Sequence, residues 1–236
     1  METIIEFTHR AMSGVALVAV VALWLWSRRS FARGSRVRTM ALGSFVFLIT
    51  EALLGAGLVL FNYVDKNQSV GRAFYLSLHL LNTLLLLGTL ALTAWFSREA
   101  RGRGRSSPFA IAALPIAALV AVAGAIAALG DTLFPATSLT QGFHQDFSGA
   151  ANFLLRLRVL HPVLAVLAAG YFVALSIAVL RARQSRLAIW VLILTVAQLC
   201  AGAINLILLA PVWMQITHLF MADSLWIALV LLTVEF

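Results

Sequence analysis

A chain of 236 residues that is 62% hydrophobic and only 11% charged, with a mean hydropathy of +0.97, has too little polar surface to enclose a soluble core. Its net charge of +8 invites a nucleic-acid reading. The basic residues, however, gather in short loops between apolar runs, so the expected surroundings are a lipid bilayer and no nucleic acid. The fold class is all-α integral membrane, because a lipid-exposed backbone must close its own hydrogen bonds. The runs are also too long and too uniformly apolar for barrel strands.

A span needs roughly 20 mostly apolar residues, and seven such runs occur, at 11–27, 40–62, 74–96, 108–130, 159–180, 187–210 and 214–235. Before the first, Glu6, His9 and Arg10 stand where a basic n-region would be, so no signal peptide is expected. Arg28, Arg29, Arg33, Arg36 and Arg38 follow the first span, Arg98, Arg101, Arg103 and Arg105 the third, and Arg181, Arg183 and Arg186 the fifth. These alternate loops are cytoplasmic by the positive-inside rule. The N-terminus is then outside the cell's inner (plasma) membrane and the C-terminus is cytoplasmic. The fourth span carries Pro108 and Pro115 but no ionisable group, and reads as a connector. The loop that follows, Gly130 to Leu155, is long enough to read as a functional cap. Cys200, in the sixth span, is the single cysteine. It reads as a small packing residue that forms no intramolecular disulfide.

An internal repeat organises these spans. EFTHRAMSGVALVAVVALW resembles RLRVLHPVLAVLAAGYFVAL. TEALLGAGLVLFN resembles AQLCAGAINLILLAP, setting Glu51 opposite Gln198 and Gly55 opposite Gly202. SLHLLNTLLLLGTLAL resembles ITHLFMADSLWIALVL, setting His79 opposite His218. The spacing predicts two pseudo-symmetric halves, a three-helix N-terminal half over 1–105 and a four-helix C-terminal half over 106–236.

Titratable side chains inside membrane spans are rare and functional by default. His9, His79, His161 and His218 all lie near the outer ends of their spans, at a shared depth for a rise of 1.5 Å per residue. Heme iron takes two axial ligands on opposite faces, and neutral imidazole is a common one. His9 with His79, and His161 with His218, are the natural pairs. A zinc or diiron site competes, since Glu6-Phe7-Thr8-His9 has Glu-x-x-His spacing. No acid holds the equivalent place before His161, so heme is preferred. His144 lies outside the repeat and reads as solvated or capping. Arg10 adjoins His9, Arg72 precedes His79, and Arg156 and Arg158 precede His161. Arginine forks suit heme propionates, with lipid-headgroup anchoring the simpler role, above all for Arg72.

The segments EFTHR (6–10), LGAGLV (54–59), LHLLNT (78–83), GDTLFP (130–135), LRVLHP (157–162) and HLFMADSLW (218–226) together resemble the heme A synthase family of cytochrome oxidase assembly proteins. The resemblance runs along essentially the whole chain. It implies an oxidoreductase that converts heme O to heme A by oxidising a ring methyl to a formyl group, for terminal oxidase assembly. It also implies that His161 and His218 are the iron ligands of a permanent heme b, with Arg156 and Arg158 at its propionates. His9, His79 and Arg10 would border the substrate heme, with Glu6 as the catalytic carboxylate; the simpler role for Glu6 is a helix-dipole partner. Heme O synthase and terminal oxidase subunits are the implied partners, and the electron donor is not specified. The alternatives are a non-enzymatic diheme b-type electron carrier and a heme-delivery chaperone. Three departures from the family pattern stand out: members commonly carry an eighth helix before the Glu-x-x-His motif, some have cysteine pairs in outer loops, and an arginine often follows the histidine where Pro162 stands. The first leads to the expectation that the His9–His79 site is open along one side.

Overall fold

The computed structural model describes residues 2–98, 107–149 and 151–235, with side chains from Phe7 onward. It is all-helical among those residues: α1 (Glu2–Ser30), α2 (Arg36–Leu60), α3 (Val70–Arg98), α4 (Pro108–Leu133), α5 (Leu139–Phe147), α6 (Phe153–Arg158), α7 (Leu160–Ala182), α8 (Arg186–Ile207) and α9 (Val212–Val234). Seven segments are long and apolar enough to cross a membrane, with α6 and α7 together forming the fifth. Val15, Leu53, Leu167, Ile207 and Phe220 point outward, as side chains facing lipid tails must. The chain is a multi-pass membrane protein.

Local signals set the helix starts. Ser35 and Ser185 cap α2 and α8 by accepting backbone N–H groups, and Pro108 opens α4 where an N–H would have no partner anyway. The loop Gly130 to Leu155 is not featureless. It holds α5, capped by Ser138, and α6, capped by Asn152. Between α6 and α7 the regular helix is interrupted at Val159. Pro162 has no N–H to offer the carbonyl of Arg158 one turn earlier, which explains the break there.

In lipid, helices associate through close packing of small residues and interhelical polar contacts, not through the hydrophobic effect. Helices α2 and α3 pack this way. Ser44 Oγ donates to Thr89 Oγ1 at 3.1 Å, beside Gly43, where a Cβ would lie only 3.2 Å from Thr89. Helices α4, α7, α8 and α9 make a closed ring of contacts around Ala113, Phe172, Leu175, Val191, Leu229 and Leu232. Helix α3 joins the ring through α4 and α9. There the buried Trp226 Nε1 donates to the Leu84 carbonyl at 2.7 Å. Helix α1 packs against α2, but its side chains from Phe7 to Ala19 are all exposed.

The α2–α3 and α8–α9 hairpins are built alike. At the end of α2, Phe61, Asn62 and Tyr63 donate to the carbonyls of Gly57, Val59 and Leu58, at 2.9, 3.1 and 2.8 Å. At the end of α8, Leu208, Leu209 and Ala210 donate to Ile204, Leu206 and Asn205 at the same three distances. Both turns pass through left-handed backbone, at Asn62 (φ 57°) and Leu209 (φ 60°). That conformation is uncommon for a bulky residue such as Leu209, so the shared turn geometry prevails over residue preference there.

Candidate heme site

Helices α7 and α9 bring the rings of His161 and His218 together. Their ring centroids are 6.4 Å apart and their planes cross at 89°. Two imidazoles bound to one metal ion by bonds of about 2 Å would hold their ring centres roughly 6 Å apart. Each ring also sits against a glycine of a neighbouring helix. A Cβ on Gly124 of α4 would fall 2.9 Å from His161 Cε1, and one on Gly202 of α8 would fall 3.2 Å from His218 Cε1. No other residue type fits without moving the ring. Both Nδ1 atoms are buried without a hydrogen-bond partner. Gln198 lies alongside, its amide nitrogen 3.2 Å from His218 Nε2 and donating to the His218 carbonyl at 3.1 Å. Spacing and glycine seats both fit a heme held between two imidazoles.

The other half is partly similar. His79 sits against Gly55, where a Cβ would lie 3.6 Å from Cε1, and its Nδ1 is likewise buried without a hydrogen bond. Its nearest charged neighbour is Glu51, with Oε2 3.5 Å from Nδ1. Asn82 Nδ2 donates to Glu51 at 2.6 Å, and Thr83 Oγ1 also donates to it. His9 is exposed on α1, and the structure does not bring it into ring contact with His79. Arg10 is exposed next to it. The side chain of Glu6 lies outside the described residues. Among those described, no three His, Cys, Asp or Glu side chains converge as a chelated metal ion would require.

The arginines divide. Arg158 is engaged by two carboxylates, with Nη1 2.7 Å from Asp131 Oδ1 and Nε 2.9 Å from Asp146 Oδ1. That clamp ties α6 to α4 and α5 and occupies the fork that the sequence reading gives to a propionate. Arg156 is exposed, and its Nη2 donates to the Gly149 carbonyl at 2.8 Å. Arg72 donates to the Asp65 and Asn67 carbonyls at 2.5 and 2.9 Å, bracing the α2–α3 turn. His144 and Cys200 are both exposed; for Cys200 this replaces the expected packing role. Sequence reasoning passed over the glycine seats and gave no role to Glu51. The matched Gly55 and Gly202 of the repeat, and the rarity of a carboxylate in a membrane span, were the signals for them.

The fold and site define a multi-pass membrane protein in which two spans bring a pair of histidines together. The cytochrome oxidase assembly protein family matches residues 1–230, and the chain belongs to this family of heme A synthases. A protoheme IX farnesyltransferase of Thermus thermophilus is 43% identical over 98% of this chain, which spans 40% of that relative's length. A heme A synthase of Halalkalibacterium halodurans is 40% identical over 39% of this chain and 30% of its own. One of Bacillus licheniformis is 32% identical over 47% of this chain and 34% of its own. No solved structure matches the chain significantly.

Proposed function

We propose that this protein is a heme A synthase-like oxidoreductase that oxidises a ring methyl of heme O to the formyl group of heme A, for terminal oxidase assembly. The facing pair His161 and His218 carries the reading, in a chain whose family match runs nearly end to end. We assign this pair to a resident heme b, with Arg156 left to meet a propionate while Arg158 holds its carboxylate clamp. When bound, heme b supplies reversible one-electron chemistry. The chain's own residues orient it. Gly124 and Gly202 let the rings seat. His79, with His9 and Arg10, is assigned to the substrate heme in the N-terminal half, 1–105, and the resident site to the C-terminal half, 106–236. Glu6 is assigned as the carboxylate that handles a proton at the reacting methyl group. We place the protein in the plasma membrane with its N-terminus outside, on the distribution of its arginines.

The name of the Thermus relatives bears on partners. Farnesylated protoheme is the class of compound this reaction consumes. We read the relatives as pairing the supply of that substrate with a segment like this chain, and infer a heme O-forming enzyme and terminal oxidase subunits as partners. A second reading, a diheme b-type electron carrier, draws on the likeness of the α2–α3 and α8–α9 hairpins. Cells supplied with heme O and expressing the protein decide between them by chromatography of the extracted hemes. Heme A in the extract is the expected result. Two tightly held hemes b and no heme A would establish the carrier, and one loosely held, unmodified heme a delivery chaperone.

A further inference from the structure

The two histidine hairpins share their turns and their glycine seats, and differ in one polar neighbour. Beside His218 stands the neutral amide of Gln198. At the matching place on α2 stands the carboxyl group of Glu51, 3.5 Å from His79 Nδ1, with a side-chain exposure of 18%. A carboxylate within a membrane span is expensive unless its oxygens are satisfied, and here they are. Asn82 donates at 2.6 Å, Thr83 donates through its hydroxyl, and Asn82 is itself fixed by the Phe47 carbonyl at 2.8 Å and by Thr50 at 2.5 Å. Three side chains, Asn82, Thr83 and Thr50, thus hold one carboxyl group beside an imidazole nitrogen that has no other partner. The hairpin can form without this arrangement, since α8–α9 makes the same turn with an amide in that place.

A histidine that ligates a metal commonly gives its second ring N–H to a carboxylate. The contact fixes the tautomer, aims the ring and increases its basicity as a ligand. We propose that Glu51 is the positioning residue of His79. It accepts the Nδ1–H, leaves Nε2 bare toward heme iron, and makes His79 a stronger donor than His218, whose Nδ1 has no acceptor beside it. The proposal rests on the reading of His79 as a heme ligand. A stronger donor favours the oxidised state of the iron it holds, so the two sites are built to differ in potential.

The full chain loaded with protoheme tests this by redox titration followed optically. Two components are expected, one lost in His79→Ala and the other in His218→Ala. Glu51→Gln should raise the potential of the His79 component, leave the His218 component where it was, and retain both hemes. Glu51→Asp, which keeps the charge on a shorter arm, should raise it by less, and serves equally if the Gln variant folds poorly. Wild-type potentials in heme-loaded Glu51→Gln or Glu51→Asp would overturn the role of Glu51 while leaving His79 a ligand. A His79→Ala protein that keeps both components unchanged would instead remove the ligand assignment beneath it.

Discussion

At the residue scale, the site depends on ring nitrogens and on the absence of side chains beside them. Replacing His161 or His218 by Ala deletes one side of the facing pair, so each variant should lose its stably bound low-spin heme. An unchanged heme stoichiometry and optical spectrum in both would sink the assignment. The glycine seats give a finer test. A methyl at Gly124 would lie 2.9 Å from His161 Cε1 and one at Gly202 would lie 3.2 Å from His218 Cε1, so both rings must shift, His161 further. Overpacking of this kind costs about 1–3 kcal/mol, while Ala in place of Gly returns up to about 1 kcal/mol of helix propensity. Gly124→Ala should therefore fold and yet retain less heme than Gly202→Ala, read from the heme-to-protein ratio after purification. Glu6→Gln removes the ionisable group with little change in shape. It should leave heme b bound and stop heme A formation, with wild-type heme A yields from the variant counting against a chemical role.

At the element scale, the long helices were legible because apolar runs of span length admit few alternatives. Each predicted span falls on an observed helix, although α1 begins at Glu2, ahead of the predicted start at 11, and α3 at Val70, ahead of 74, because Glu6, His9, Arg10 and Arg72 interrupt the apolar runs there. Helices α5 and α6 were not legible. Nine and six residues long, they are held by caps and by the Arg158 clamp, neither of which leaves an apolar period. The clamp makes its own prediction. Arg158→Ala strands Asp131 and Asp146 beside each other, whereas the triple change to Ala, Asn and Asn removes the charges together. The single variant should be the less stable in detergent melting, by about 1–2 kcal/mol once partial solvent screening is allowed for. It should also open the segment around α5 to protease. Equal melting of the two variants would mean that the clamp contributes nothing to stability.

At the scale of the whole molecule, depth was readable from the sequence and direction around the helix axis was not. All four histidines were placed toward one end of their spans, but only His161 and His218 face one another, because the α4–α7–α8–α9 contacts fix the rotation of α7 and α9. On α1, which packs against α2 and is exposed from Phe7 to Ala19, His9 is itself exposed. Two sites held so differently should differ in how readily they exchange heme. Heme at His161 and His218 would be gripped from both sides by spans of one mutually packed ring, whereas the partner assigned to His79 is the exposed His9 of α1. Challenged with an excess of an apo-heme protein as acceptor, the loaded chain should lose heme in two phases separated by at least about tenfold, or roughly 1.4 kcal/mol. His79→Ala should abolish the fast phase and His218→Ala the slow one. A single slow phase for both hemes, or a fast phase that survives His79→Ala, would show that the paired grip of His161 and His218 does not control heme release.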